Sequence, residues 1–382
     1  LESMGLKRGE RVATLAWNTF RHLEIYYGVS GMGAVCHTVN PRLFEEQIVY
    51  ILNHAQDTAL FFDLTFLPLV QRLVPKLKYL KTFVLMTDKN NMIDSSIQNL
   101  LCYEDILGNQ TSQFEWPKLP EKTDSSLCYT SGTTGNPKGV MYEHRSTILH
   151  SYAAAMPDAL NISAKDVIMP VVPMFHANAW GLPYVAALTG SKLVLPGDKL
   201  DGESLFEMFE SEKVTISAGV PTIWMGLVGY LKEKNLKFSY LKRTVIGGSA
   251  VPPAMTRTFE GDYGVEVIHA WGMTEMSPLG TVSTLKNKHL DLGKNDQLNL
   301  KDKQGRAIFG VDMKIVDDKG EELPWDGESF GELLVRGPWI LNNYFKDLAN
   351  DTLRIDSEGI PWFPTGDVAT IDRDGFMQIT DR

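Results

Sequence analysis

Thr130-Ser131-Gly132-Thr133-Thr134-Gly135-Asn136-Pro137-Lys138-Gly139 follows directly on the apolar run Ser126-Leu127-Cys128-Tyr129. Small residues let backbone N–H groups come close to an anion, and hydroxyls with one ammonium can complete the cradle. The stretch therefore reads as a polyphosphate loop at the end of a buried strand; the plainer reading is a flexible surface loop. Lys138 stands between Pro137 and Gly139. No hydroxyl follows it to ligate magnesium, so the common nucleotide-triphosphatase loop is excluded. No early strand leads into Gly-x-Gly-x-x-Gly either, which disfavours a dinucleotide fold.

Outward from this loop, short apolar runs alternate with helical spacing from Arg11 to about Thr281. Ala59-Leu60-Phe61-Phe62, Thr82-Phe83-Val84-Leu85-Met86, Val167-Ile168-Met169, Thr244-Val245-Ile246 and Val265-Glu266-Val267-Ile268 predict strands. Residues 44–55, 204–212 and 222–232 have helical spacing. The rhythm predicts an α/β architecture of mostly parallel sheets covered by helices. After about Leu285 the texture changes. Turns such as Asp317-Asp318-Lys319-Gly320 and Asp372-Arg373-Asp374-Gly375 separate alternating runs such as Val311-Asp312-Met313-Lys314-Ile315-Val316. That pattern predicts antiparallel hairpins in a smaller, barrel-like β lobe. The expected division is 1–285 and 286–382, with 286–303 a polar loop.

The chain has 382 residues, 43% hydrophobic, and a formal net charge of −10. Several lobes with real cores fit that length, and the acidic balance argues against general nucleic-acid binding. Three cysteines without metal-ligand spacing suggest a reducing, cytoplasmic setting, with Cys128 in the core. No apolar stretch is long enough to span a bilayer. The start at Leu1 and the end at Asp381-Arg382, straight after a strand-like run, read as a fragment.

Four further clusters could carry chemistry. Val245-Ile246-Gly247-Gly248-Ser249-Ala250 ends a strand in bare backbone, either the floor under a flat ring or a simple turn. His269-Ala270-Trp271-Gly272-Met273-Thr274-Glu275 offers an aromatic face, a hydroxyl and a carboxylate suited to Mg²⁺, or else a core tryptophan beside a surface Thr-Glu. Thr365-Gly366-Asp367, expected just before a strand at 368–371, supplies a carboxylate for two ribose hydroxyls or only a turn. Pro173-Met174-Phe175-His176-Ala177-Asn178-Ala179-Trp180-Gly181 could wall a pocket for a greasy substrate with a polar head, or His176 is a satisfied core histidine.

Taken in order, the loop, the Gly-Gly-Ser, the Trp-Gly-Met-Thr-Glu, the Thr-Gly-Asp and the final Asp381-Arg382 resemble the motifs of the adenylate-forming superfamily across essentially the whole chain. The segment 172–184, with Leu195-Pro196-Gly197 and Ala218-Gly219-Val220-Pro221-Thr222, looks most like bacterial medium- and long-chain fatty-acyl-CoA synthetases. The resemblance implies the large N-terminal domain of that fold and a two-step reaction. A fatty acid and ATP give acyl-AMP and pyrophosphate, then the CoA thiol displaces AMP. It implies that Thr130, Ser131, Gly132, Thr133, Thr134, Gly135 and Lys138 cradle the β- and γ-phosphates, with Thr130 near Mg²⁺. Gly248, Ser249 and Trp271 would frame adenine, Trp271 standing where many relatives have tyrosine. Thr274 would bond the α-phosphate and Glu275 ligate Mg²⁺, while Asp367 and Arg382 hold the ribose. His176 would sit near the reacting carboxylate; Trp180 and Gly247 would border the acyl tunnel. A small C-terminal domain carrying a further lysine would begin just beyond Arg382. A fragment ending at that hinge is expected to bind ATP, to make acyl-AMP slowly and to make no acyl-CoA. A homodimer and peripheral membrane contact are left open. The alternatives are a ligase for another small carboxylic acid on the same fold and a non-catalytic nucleotide-binding relative.

Overall fold

The computed structural model describes every residue except 131–134, 348, 350 and 382. The chain divides into two compact units. The first comprises Leu1–Arg145, Pro173–Asn178 and Tyr344–Lys346; the second comprises Ser146–Val172, Ala179–Asn343 and Asp347–Arg382. The change of texture near Leu285 falls inside the second unit.

The first unit is built on a seven-stranded sheet of β1 (Arg11–Leu15), β2 (Val35–Thr38), β3 (Ala59–Phe62), β4 (Thr82–Leu85), β5 (Leu101–Cys102), β6 (Asp124–Tyr129) and β7 (Gly139–Glu143). Its spatial order is β5-β4-β3-β1-β2-β6-β7, parallel throughout except for β7, which returns antiparallel to β6. Strands buried on both faces need continuous apolar sequence, and β3 (Ala-Leu-Phe-Phe) is buried at every position. The helix Phe20–Gly31 begins where the Thr19 side chain accepts a hydrogen bond from the His22 N–H. Ile48, Ile51 and Leu52 of the helix Glu45–Ala55 pack with Leu15, Phe62, Val70 and Leu85 in the core.

The second unit carries another seven-stranded sheet: β8 (Val167–Pro170), β9 (Lys192–Leu193), β10 (Ile216–Gly219), β11 (Arg243–Ile246), β12 (Glu266–Gly272), β13 (Leu279–Val282) and β14 (Arg306–Ala307). In the order β14-β13-β12-β11-β10-β8-β9, the five strands from β12 to β9 are parallel; β13 and β14 are antiparallel. Its core gathers Phe209, Trp224, Leu227 and Phe259 from helices Gly202–Ser211, Pro221–Lys234 and Pro253–Asp262 onto Val214, Ile246 and Val267. The same unit holds an antiparallel sheet of β15 (Asp312–Val316), β16 (Phe330–Arg336), β17 (Arg354–Ile355), β18 (Pro361–Ile371) and β19 (Met377–Asp381).

Three expectations need correction. The antiparallel sheet runs β15-β16-β18-β17 with β19 on β18, and among the described residues it does not close into a barrel. The stretch 286–303 is not a loop, since Lys294–Asp302 is helical. It buries only Leu298 and Lys301, and Lys301 donates to Glu260 at 2.7 Å, so the apolar stripe is too narrow to register as periodicity. The Thr-Gly-Asp motif does not precede a strand but lies inside β18. Leu334 pairs with Pro364 and Glu332 with Val368, so 365–367 bulge out opposite Leu333.

Candidate functional site

In the first unit, β6 and β7 form a hairpin with Tyr129 opposite Gly139. The loop they hold is pinched at its base. The Thr130 N–H donates to the Lys138 carbonyl at 2.9 Å, and the Lys138 N–H donates to the Thr130 hydroxyl at 3.1 Å. Gly135 takes φ +84°, which suits glycine, and the Lys138 side chain is exposed. Ser131, Gly132, Thr133 and Thr134 lie outside the described residues. Cys128 is core, as expected. Its thiol touches the Thr38 hydroxyl at 3.2 Å, and burial pushes it up to about 11, so it is no nucleophile.

His176 is half-buried in the first unit. Desolvation, then the Arg42 guanidinium, holds its imidazole below the ordinary range, so it is neutral near pH 7. Residues 177–181 follow in an unusual conformation: Ala177, Asn178, Ala179, Trp180 and Gly181 all have φ between +42° and +77°. A left-handed turn of L-residues costs about 1–2 kcal/mol per residue and persists only where side chains over-determine it. Asn178 supplies the restraint, donating to the Ser126 hydroxyl at 2.9 Å and accepting from the Cys128 thiol at 3.4 Å.

In the second unit, Gly248, Ser249, Trp271 and Asp367 line one cleft of about 260 Å³. Gly247 lies so close to β12 that a methyl group there would come within 2.4 Å of the Ala270 carbonyl oxygen. Gly248 takes φ +77°, and the Trp180 indole lies within van der Waals reach of the space above both glycines. The bulge in β18 aims Asp367 into the cleft. Gly366 sits at φ +77°, the Thr365 hydroxyl donates to the Leu333 carbonyl at 2.9 Å, and the Asp367 N–H donates to that hydroxyl at 3.1 Å. The Trp271 indole N–H donates to the Asp367 carboxylate at 3.1 Å, tying the aromatic wall to the acid. Thr274 and Glu275 form a single 3-10 turn beyond β12, with Glu275 buried and its carbonyl accepting from the Leu341 N–H at 2.8 Å. Arg382 lies outside the described residues.

Gln304 and Ile379 also line the cleft, and the Ile379 N–H donates to the Gln304 side chain at 2.7 Å. Neither stands in a recognisable motif, so sequence reading missed them. Among the described residues, no three His, Cys, Asp or Glu side chains converge on a metal position. No helix among them is long and apolar enough to cross a membrane.

A ring-sized cleft with a glycine floor, an aromatic wall and a buried acid is the shape of a nucleoside pocket, and residues 1–345 match the model of a family described as AMP-binding enzyme. The chain belongs to the AMP-binding enzymes. It is 54% identical over its whole length to the medium-chain-fatty-acid–CoA ligase of Ectopseudomonas oleovorans, of which it covers 69%. It is equally 54% identical to the 3-methylmercaptopropionyl-CoA ligase of Ruegeria pomeroyi, covering 70%. A crystal structure of a long-chain-fatty-acid-CoA ligase from Archaeoglobus fulgidus superposes with a TM-score of 0.85 at 26% identity, covering all of this chain and 74% of that one. AMP-binding enzymes of this kind use ATP and CoA.

Proposed function

We propose that this chain carries the adenylating machinery of an AMP-forming fatty-acid–CoA ligase acting on medium- to long-chain acids in a reducing, cytoplasmic setting. The observation that carries the reading is the Trp271–Asp367 pair at the glycine-floored cleft. It offers stacking for adenine and a carboxylate for the ribose hydroxyls, a role shared with Arg382. In the first step a fatty-acid carboxylate oxygen attacks the α-phosphorus of ATP. The acyl C–O–P link forms, the bond to the β-phosphate oxygen breaks and pyrophosphate leaves. In the second step the CoA sulfur attacks the acyl carbon, the acyl–oxygen bond breaks, AMP leaves and the thiol proton passes to solvent. A carboxylate is a weak nucleophile, so the first step needs alignment and neutralisation of the leaving group more than a strong base.

Lys138, Thr130 and the loop at 131–135 take the polyphosphate, and Thr274 the α-phosphate. Neutral His176 lines the approach of the acid, and Trp180 with Gly247 borders the acyl path. Mg²⁺ fits the donor set. Glu275, buried in the turn after β12, would offer it a hard carboxylate oxygen, the donor type that ion takes. When bound, it would neutralise developing phosphate charge.

A panel of C4 to C18 acids, assayed with the full-length protein for AMP release on adding ATP, Mg²⁺ and CoA, tests the reading. Turnover is expected to peak at medium or long chains and to vanish with EDTA. Equal identity to the Ruegeria pomeroyi ligase favours a second reading, a short sulfur-containing acid, which a maximum at 3-methylmercaptopropionate would select. No AMP release with any acid would sink both.

A further inference from the structure

We propose that Tyr344 is a positioning residue for Lys138, and that Tyr344–Lys346 forms a clip that keeps the lysine's ammonium beside the loop before ATP arrives. The inference rests on the assignment of Lys138 to the polyphosphate. Three observations within the first unit carry it. The Lys138 ammonium stands 4.6 Å from the centroid of the Tyr344 ring, a cation–π distance. The backbones on either side of that pair are fixed to each other, because the Phe345 N–H donates to the Gly139 carbonyl at 2.8 Å. Gly139 is the residue that permits this approach, since a methyl group there would meet the Phe345 Cβ at 3.0 Å.

The rest of the clip is anchored independently. Phe345 packs with Val35, Ala55, Leu127, Tyr129 and Met141, and meets the His54 ring edge-on at 5.7 Å. Lys346, at φ +60°, turns its ammonium onto the His54 carbonyl at 2.8 Å, while the His54 ring bonds the Tyr129 hydroxyl at 2.7 Å. Tyr129 is the last residue of β6 before the loop. The segment therefore grips the loop's two stems and presents an aromatic face to its one lysine. Without that face, four methylenes and an ammonium are free to sample solvent and must be ordered when the polyphosphate binds. Tyr344 lowers this cost through its ring, not its hydroxyl.

A double-mutant cycle on the full-length protein, read as KM for ATP and kcat in AMP release, tests this. Tyr344→Leu is expected to raise KM for ATP about two- to fivefold with kcat little changed, the scale of one cation over a half-exposed ring. Tyr344→Phe should restore the parent value, and in a Lys138→Met background Tyr344→Leu should add nothing. If Lys138→Met raises KM but Tyr344→Leu does not, or Phe fails where Leu fails, the clip is overturned and the role of Lys138 stands. If Lys138→Met itself leaves KM unchanged, the assignment of Lys138 is wrong and the clip falls with it. Tyr344 is half-exposed, and matching melting curves for the variants separate ordering of the lysine from loss of fold.

Discussion

The chemistry of the glycine-floored cleft concentrates in one contact between residues ninety-six positions apart, the Trp271 N–H on the Asp367 carboxylate. A buried carboxylate is costly unless bonded, and a hydrogen bond to a charged group contributes about 1.5–3 kcal/mol. Replacing Asp367 by Ala should therefore weaken AMP affinity at least tenfold and also release the indole, shifting tryptophan emission. Asp367→Asn should lose affinity for the sugar while keeping the indole bonded, so its emission stays near the parent's. A fluorescence titration with AMP checks both, and unchanged affinity in the two variants would remove Asp367 from the site. Trp271, Gly248 and Asp367 were legible in the sequence because each stands in a short motif whose chemistry suits a nucleotide. Gln304 and Ile379 were not, because cleft lining depends on register across the fold and leaves no local mark. Tyr344 was equally silent, since its partner lies over two hundred residues away.

Among the elements, β18 shows how a strand can be hidden in sequence. Pro361, Pro364 and Gly366 read as breakers, so only its end at 368–371 was foreseen. The bulge absorbs Gly366 and swings Asp367 into the cleft. A side chain at Gly366 would meet nothing within 4 Å, so its constraint is the backbone alone. Gly366→Ala should cost about 1–2 kcal/mol from forcing an L-residue to positive φ. The cost appears as a lower denaturation midpoint, and an unchanged midpoint would mean that the bulge relaxes freely. The parallel strands were legible because burial on both faces makes them continuous apolar runs. The left-handed turn at 177–181 was not, since of its non-glycine members only Asn178 favours that conformation. The restraints on Asn178 come from Ser126 and Cys128, residues remote in sequence.

At the scale of the whole molecule, both compact units bury histidines, among them His22 in the first and His150 in the second, whose titration burial shifts far. His22 bonds the Thr14 hydroxyl at 2.9 Å and the Trp17 carbonyl at 3.0 Å, and the Nε2 of His150 accepts from the Leu279 N–H at 3.1 Å. Burial lowers both from 6.5 to about 4. Above pH 6.5 both are neutral, folded or unfolded, and the native arrangement is fully favoured. Between pH 6.5 and 4 the unfolded chain takes up protons that the native chain refuses, so stability falls as pH falls, by an amount on the order of 3 kcal/mol per histidine. Denaturation midpoints measured at pH 7.5 and 5 should show this loss, and equal midpoints would contradict it. The sequence foretold neither histidine's burial, because nothing near either distinguishes a core position from a surface one. The division into units has a different consequence, one of contiguity. The first unit recruits Pro173–Asn178 and Tyr344–Lys346 from far along the chain, so the polypeptide passes from one unit to the other five times. Neither unit is written as a single stretch of the gene, so no one cut, by protease or by cloning, could release either of them whole.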